Sequence, residues 1–272
     1  MTAINGLAAA FAWTGYTGLY ASPGFLKPYK FSINVQGGSI EQTGFEGSAV
    51  ITRTNTAAPY SWTFTVICRS PNTPATGFSG SVAWSSGNYS TNVRDWNLDL
   101  RYAEKRVTGM DGSGVVAHSF IPLAASWSGG FTGYIDGTTA LALPTLPGAT
   151  LATLTLKALE NSGGTDDTLA GSALVTQLSG DVGVDGSGEY SYSFEGSGDL
   201  AAAGTNYGVA STGIWSSGSL ITPVANSVTL TAATGRTFGG SAFPTGVSWR
   251  VGVDSGIEVV LSGRGTGALS IG

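Results

Sequence analysis

Side chains able to do chemistry are sparse in this sequence. His118 is its single histidine and sits among Val115, Val116 and Phe120. With a serine and an aspartate it could complete a nucleophilic triad, the imidazole taking the hydroxyl proton and the carboxylate fixing its tautomer. No Gly-x-Ser-x-Gly elbow is present to expose such a serine, so His118 reads as a loop or core histidine. Paired carboxylates can run glycoside hydrolysis when a substrate fits between them. Asp166 and Asp167 are sequence neighbours in a Gly/Thr stretch, which sets no such gap and reads as a solvated turn. The two Asp-Gly-Ser-Gly segments, at 111–114 and 185–188, each offer one carboxylate where a calcium loop needs several oxygens. They read as hairpin turns, in which Gly supplies positive φ and Asp bonds its own backbone.

Cys68 is the single cysteine, which excludes an intrachain disulfide, and no Cys/His set has zinc-ligand spacing. It continues an apolar alternation and belongs in the core. Phosphate loops of the Gly-x4-Gly-Lys type are absent, and Arg101, Lys105 and Arg106 form the only tight basic group. Affinity for DNA through counterion release needs more clustered cations than that. Trp62, Trp96, Trp127 and Trp249 fall on apolar strand faces and read as core rather than sugar-stacking platforms. No catalytic, cofactor-binding or metal-ligating residue is expected, and no enzyme.

The elements that would carry these residues are strands. Phe31, Ile33 and Val35 alternate with Ser32, Asn34 and Gln36, and Tyr60, Trp62, Phe64, Val66 and Cys68 share one face. Trp96, Leu98, Leu100 and Tyr102 oppose Asn97, Asp99 and Arg101, and similar stripes run through Trp127–Ile135, Tyr190–Phe194, Trp249–Val253 and Val259–Leu261. Period two marks half-buried antiparallel strands. Helix is expected only as a turn or two at Ala8–Trp13 and Val115–Ala124. Charged residues are 11% of the 272, the net charge is −5, and there are 42 glycines. An isolated soluble domain carries about 25% charged residues, so this surface reads as one covered by neighbouring subunits. No apolar run is long enough to span a bilayer, and Met1 is followed by no basic leader; synthesis in the cytoplasm and no membrane are expected.

A repeat is visible. Gly171-Ser172-Ala173 recurs at Gly240-Ser241-Ala242, Val182–Asp185 at Val251–Asp254, and Gly196–Leu200 at Gly265–Leu269, each 69 positions on. Constant register over this span marks duplicated β-hairpins. Ser126-Trp127 and Ile214-Trp215 read as a weaker upstream echo. The expected fold is all-β: an antiparallel sandwich or barrel unit at 77–200 and a partly duplicated second unit from 28–76 with 201–272. Residues 1–27 read as an N-terminal arm.

The stretch from Asn92 to Asp136 resembles the tube domain of long-tailed bacteriophage tail-tube proteins. The likeness rests on the Asp95-Trp96-Asn97-Leu98-Asp99-Leu100 strand, Glu104, Thr108 and Asp111 before a turn, and Ser126-Trp127-Ser128-Gly129 through Tyr134-Ile135-Asp136. Leu169–Ala173 and the closing Tyr192–Leu200 complete it. The resemblance covers 77–200, with an echo at 238–269. It implies subunits joined edge to edge in hexameric rings, or in a trimeric pseudo-sixfold ring for a chain with two fused units. Stacked rings would form a virion conduit through which genomic DNA passes without specific binding, in contact with other tail proteins. An acidic bore that repels phosphate would then be lined by Asp95, Asp99, Glu104, Asp181 and Glu189, and Trp13 and Trp215, in irregular sequence, would meet other subunits. Rival readings are another virion β-protein, decorating a capsid or terminating a tail, and a secreted carbohydrate-binding β-sandwich.

Overall fold

A computed structural model of the chain describes residues 10–16, 27–37, 40–42, 52–54, 60–69, 82–84, 93–107, 119–135, 147–148, 150–159, 167–183, 188–204, 213–216, 219–232, 235–252 and 256–272. His118, Asp166 and the Asp-Gly-Ser segments at 111–113 and 185–187 lie outside the described residues. The strands are β1 (Ala10–Trp13), β2 (Lys27–Gly37), β3 (Ile40–Gln42), β4 (Thr52–Thr54), β5 (Tyr60–Arg69), β6 (Val82–Trp84), β7 (Val93–Val107), β8 (Ser119–Ile135) and β9 (Thr150–Leu159). They continue as β10 (Asp167–Val182), β11 (Gly188–Ala203), β12 (Trp215–Ser216), β13 (Ser219–Leu220), β14 (Asn226–Thr231), β15 (Thr237–Gly252), β16 (Gly256–Gly265) and β17 (Ser270–Ile271).

The architecture is all-β and antiparallel. Among the described residues thirteen strands form one sheet in the order β2-β5-β16-β15-β7-β8-β11-β10-β9-β6, with β14 and β17 pairing on β15 and β1 pairing on β14. The described parts of the two expected helices, 10–13 and 119–124, are strand instead. Ala10–Trp13 pairs with Val228–Thr231, and 119–124 runs into the β7 ladder, with Phe120 opposite Arg106. Tertiary pairing overrides the weak local helix preference of those apolar stretches. Pro122, which has no N–H to donate, sits beside the irregularity between Tyr102 and Glu104, where proline is tolerated in a sheet. Within the leading segment the described residues 10–16 belong to the sheet through β1, with Trp13 and Tyr16 fully buried.

The sheet folds over itself because its long strands bend. β10 has a register break between Val175 and Gln177, and β15 has one between Pro244 and Gly246. These breaks are again 69 positions apart, so the duplication includes the bulges that turn each strand from one layer into the next. On one side of each break the strand lies in an eight-strand layer, β2-β5-β16-β15-β7-β8-β11-β10. On the other it pairs with β9 or β14. Contacts between layers close the core: Trp96 Nε1 donates to Lys157 O on β9 at 3.3 Å, and the rings of Trp13 on β1 and Phe64 on β5 meet edge-on at 4.9 Å.

Two six-strand sets correspond throughout. β2 and β5 match β7 and β8 at an offset of 65, since Ile33 pairs with Phe64 as Leu98 pairs with Gly129. β15 and β16 match β10 and β11 at 69. β14 carries β1 as β9 carries β6, with Trp13 opposite Val228 and Trp84 opposite Leu154. The set β6–β11 is therefore inserted in the chain between β5 and β14 of the other.

At the heart of each set a tryptophan lies across two glycines. Trp62 covers Gly240 and Gly265 and donates Nε1–H to Gly267 O at 3.2 Å; Trp127 covers Gly171 and Gly196 and donates to Gly198 O at 3.1 Å. The accepting glycines have φ of +89° and +82°, a left-handed conformation that glycine adopts without cost. The partner of Trp127 is thus Trp62. Trp215, expected as an echo, makes a different contact, donating to Leu200 O at 2.8 Å.

Candidate functional site

The eight-strand layer has two unlike faces, because side chains alternate along each strand. One face carries Trp62, Phe64, Trp96, Leu98, Leu100, Phe131, Tyr192, Val247 and Trp249, all buried against the second layer. The other is polar and fine-grained. Following the ladder across it, Ser32 and Asn34 neighbour Thr65 and Thr63, and Ser262 lies beside Thr65. Ser248 lies opposite Asp99 and Arg250 opposite Asn97. Asp99 and Ser128 pair, as do Asp95 and Thr132, and Ser193 faces Gln177. A shallow groove of about 410 Å3 runs over Asp95, Asn97, Asp99, Ser128, Thr132 and Glu195.

Four of the five acids read as bore-lining share this polar face. Asp95 and Asp99 are half-buried in the ladder, with Asp99 accepting from Ser248 Oγ, and Asp181 and Glu189 pair across β10 and β11 in exposed positions. Glu104 is placed differently. Both of its oxygens accept from Arg264, whose guanidinium also lies 4.4 Å from the Phe120 ring centre. Its charge is neutralised locally. Basic residues are interspersed as well: Arg69 reaches Glu258 at 2.6 Å and Arg94 reaches Glu189 at 3.5 Å. The face is therefore of mixed charge, with acids more exposed near β10.

Trp13 and Trp215, expected at subunit contacts, are enclosed by this chain's own residues. Trp13 packs 4.7 Å from Tyr16 and donates to Ala242 O, and Trp215 packs 5.8 Å from Trp249. With 0% and 2% exposure, neither ring is presented to a second molecule. Both are core residues, a correction to the reading of Trp13 and Trp215 from irregular local sequence. Cys68 is also fully buried, and burial pushes its thiol up to about 12. Among the described residues no three His, Cys, Asp or Glu converge as metal ligands. Asp167 is fully buried.

The feature that sequence reading missed is the pair of layer ends. β2 is hydrogen-bonded to β5 alone, and β10 beyond Leu174 is hydrogen-bonded to β11 alone, among the described residues. Both outer edges carry exposed residues: Ser32, Asn34, Val35 and Gln36 on one, and Gln177, Ser179, Gly180 and Asp181 on the other. An unpaired strand offers a row of N–H and C=O groups to another chain. The signal lay in the offset of 65, which places the edge strand β2 in the role that β7 fills inside the sheet.

No family model matches the sequence, and no curated protein shows significant similarity to it. No helix among the described residues is long and apolar enough to cross a membrane.

Proposed function

We propose that this chain is a structural subunit of a bacteriophage tail tube, joining copies of itself into rings that stack as a genome conduit. The observation that carries the reading is the eight-strand layer itself, polar on one face, covered on the other, and unpaired at both edges among the described residues. A head-to-tail contact between two different edges of the same chain gives a closed ring when the rotation closes. The polar face then lines the bore, and the second layer lies outside.

Strand spacing favours three copies per ring. Eight strands at about 4.8 Å subtend an arc of about 38 Å, so three copies close a backbone circle about 37 Å across and two copies about 24 Å. Strand tilt widens both. A DNA duplex fits through the first with side chains lining the wall, and not through the second. Ser, Thr and Gly offer short side chains, the arginines Arg69 and Arg250 lie against Glu258 and Arg94 against Glu189, and Asp95, Asp99 and Asp181 repel phosphate. DNA passes such a wall without being bound, and the chain performs no chemistry.

Negative-stain imaging of the purified protein tests the reading. Stacked rings or tubes with an open bore are expected. Single particles that bind glycans would support a carbohydrate-binding module instead, and knobs that attach only to capsids a decoration protein.

A further inference from the structure

The sheet contains, within one chain, a worked example of how one six-strand set docks on the next. At that internal junction β15 pairs with β7: Gly246 with Arg101, Val247 with Leu100, Ser248 with Asp99, Trp249 with Leu98, Arg250 with Asn97, Val251 with Trp96 and Gly252 with Asp95. The strands equivalent to these two, β10 at an offset of 69 and β2 at an offset of 65, are the edges left unpaired among the described residues at opposite ends of the layer. We infer that β10 of one copy pairs antiparallel with β2 of the next in the transferred register: Gln177 with Gln36, Leu178 with Val35, Ser179 with Asn34, Gly180 with Ile33, and onward to Gly183 with Lys30. The partner is thus a second copy of this chain, bound by strand addition. The inference rests on the self-assembly reading above, though not on what passes through the assembly.

Three observations support the transfer. The first is geometric. β2 breaks register between Pro28 and Lys30, and β7 does so at the matching place, between Val93 and Asp95. The two edges are therefore bent alike. Pro28, which lacks a donor, falls just outside the seven paired positions, as Val93 does.

The second is burial. At the internal junction Leu100 and Val247 are each 1% exposed. Their counterparts are Val35, 49% exposed, and Leu178, half-buried. Docking in the transferred register sets these two side chains opposite each other and covers them. Phe31 and Ile33, half-buried at the edge, correspond to Trp96 and Leu98, which are fully buried at the internal junction.

The third is charge. In the internal ladder Asp95 and Arg250 occupy diagonal positions, within reach of opposite charges across a strand pair. The matching positions at the free edges are Lys30 and Asp181, so the signs are exchanged between the strands. A β2 edge offered to β15 would set Lys30 against Arg250, and a β10 edge offered to β7 would set Asp181 against Asp95. The exchange keeps each edge to its own partner, the way specificity is built by repulsion as well as attraction.

Cross-linking tests the register on the full chain, with buried Cys68 left in place. Directly opposite residues of an antiparallel pair have Cα atoms about 4.5 or 5.5 Å apart in alternation, both within disulfide range. Val35→Cys with Leu178→Cys, and separately Asn34→Cys with Ser179→Cys, should give covalent oligomers on mild oxidation. Phe31→Cys with Leu178→Cys, offset by four residues or about 13 Å, should give none. As a second readout, Lys30→Asp or Asp181→Lys alone should raise the concentration needed for assembly several-fold, and the two together should restore it. If the wild-type protein assembles but the matched pairs do not cross-link, or the offset pair links equally well, the register is wrong and the assembly reading stands. If the wild-type protein does not self-associate at all, the assembly reading fails and takes the register with it.

Discussion

Substituting Gly265 with alanine tests the packing that the duplication repeats. A methyl on Gly265 would fall inside the envelope of the Trp62 ring, in contact with Cε2 and Cδ2. The ring also lies close over its other glycine, filling the space a β-carbon on Gly240 would take, 2.6 Å from Cζ2, so it has little room to retreat. Overpacking of this kind costs about 1–3 kcal/mol. Displacing the indole also threatens its 3.2 Å hydrogen bond to Gly267 O, at about 1 kcal/mol more. Gly265→Ala should therefore destabilise by about 3 kcal/mol. Trp62→Ala, which empties a site 1% exposed, should cost about 3–5 kcal/mol. In that background Gly265→Ala has nothing to strike and should be near neutral, so the double-mutant cycle should show about 2–3 kcal/mol of coupling. Urea unfolding at one fixed protein concentration measures all four variants, since self-association would otherwise shift the midpoints. A Gly265→Ala cost that is the same with and without Trp62 would refute the assignment. Gly196→Ala should behave alike against Trp127.

Trp96→Ala should cost about 3–5 kcal/mol, whereas Asp99→Ala, which loses only the bond from Ser248, should cost about 1 kcal/mol; equal effects on thermal stability would overturn the assignment of the two faces. Arg264→Ala removes the partner of Glu104 and the cation over Phe120 and should destabilise by about 1–2 kcal/mol, read by the same urea titration. Tyr16 and Tyr192 are raised by burial to about 12, so the folded chain keeps protons there that the unfolded chain releases from about pH 10. Stability from these groups is full below pH 10 and falls as pH rises toward 12; phenolate absorbance should show them ionising only with unfolding, and a simple titration near pH 10 would contradict their burial. Native Cys68 should resist a water-soluble thiol reagent at pH 8 and react once urea unfolds the chain.

Much of the fold could be read from residue pattern. Alternation in 60–68 and 96–102 locates β5 and β7 and identifies Trp62, Phe64, Trp96 and Leu98 as core, because a two-residue period has one structural meaning. The hairpin repeat at 69 was legible because Gly171, Gly196, Gly240 and Gly265 are each required by an indole lying over them. Its companion at 65 was hidden by an exchange of bulk. Phe194 fills the row where Gly129 is bare, while Phe64 fills it where Gly263 is bare, so equivalent positions carry opposite residue sizes. The shared Ser-Trp of Ser61-Trp62 and Ser126-Trp127 was the remaining signal. Trp13 and Trp215 escaped for a different reason: their surroundings in sequence lack periodicity, and what buries them comes from more than a hundred positions away in one case and from β15 in the other. The acids Asp95, Asp99, Asp181 and Glu189 converge on one face as parity dictates, whereas Glu104 follows a break in register that no pattern announces.

Ring formation requires copies of this chain to meet through β2 and β10. Sedimentation velocity over a rising concentration series measures that directly. Discrete species at multiples of three times the 27.5 kDa chain mass, growing into larger stacks, are the predicted result; a single 27.5 kDa species at every concentration would contradict it.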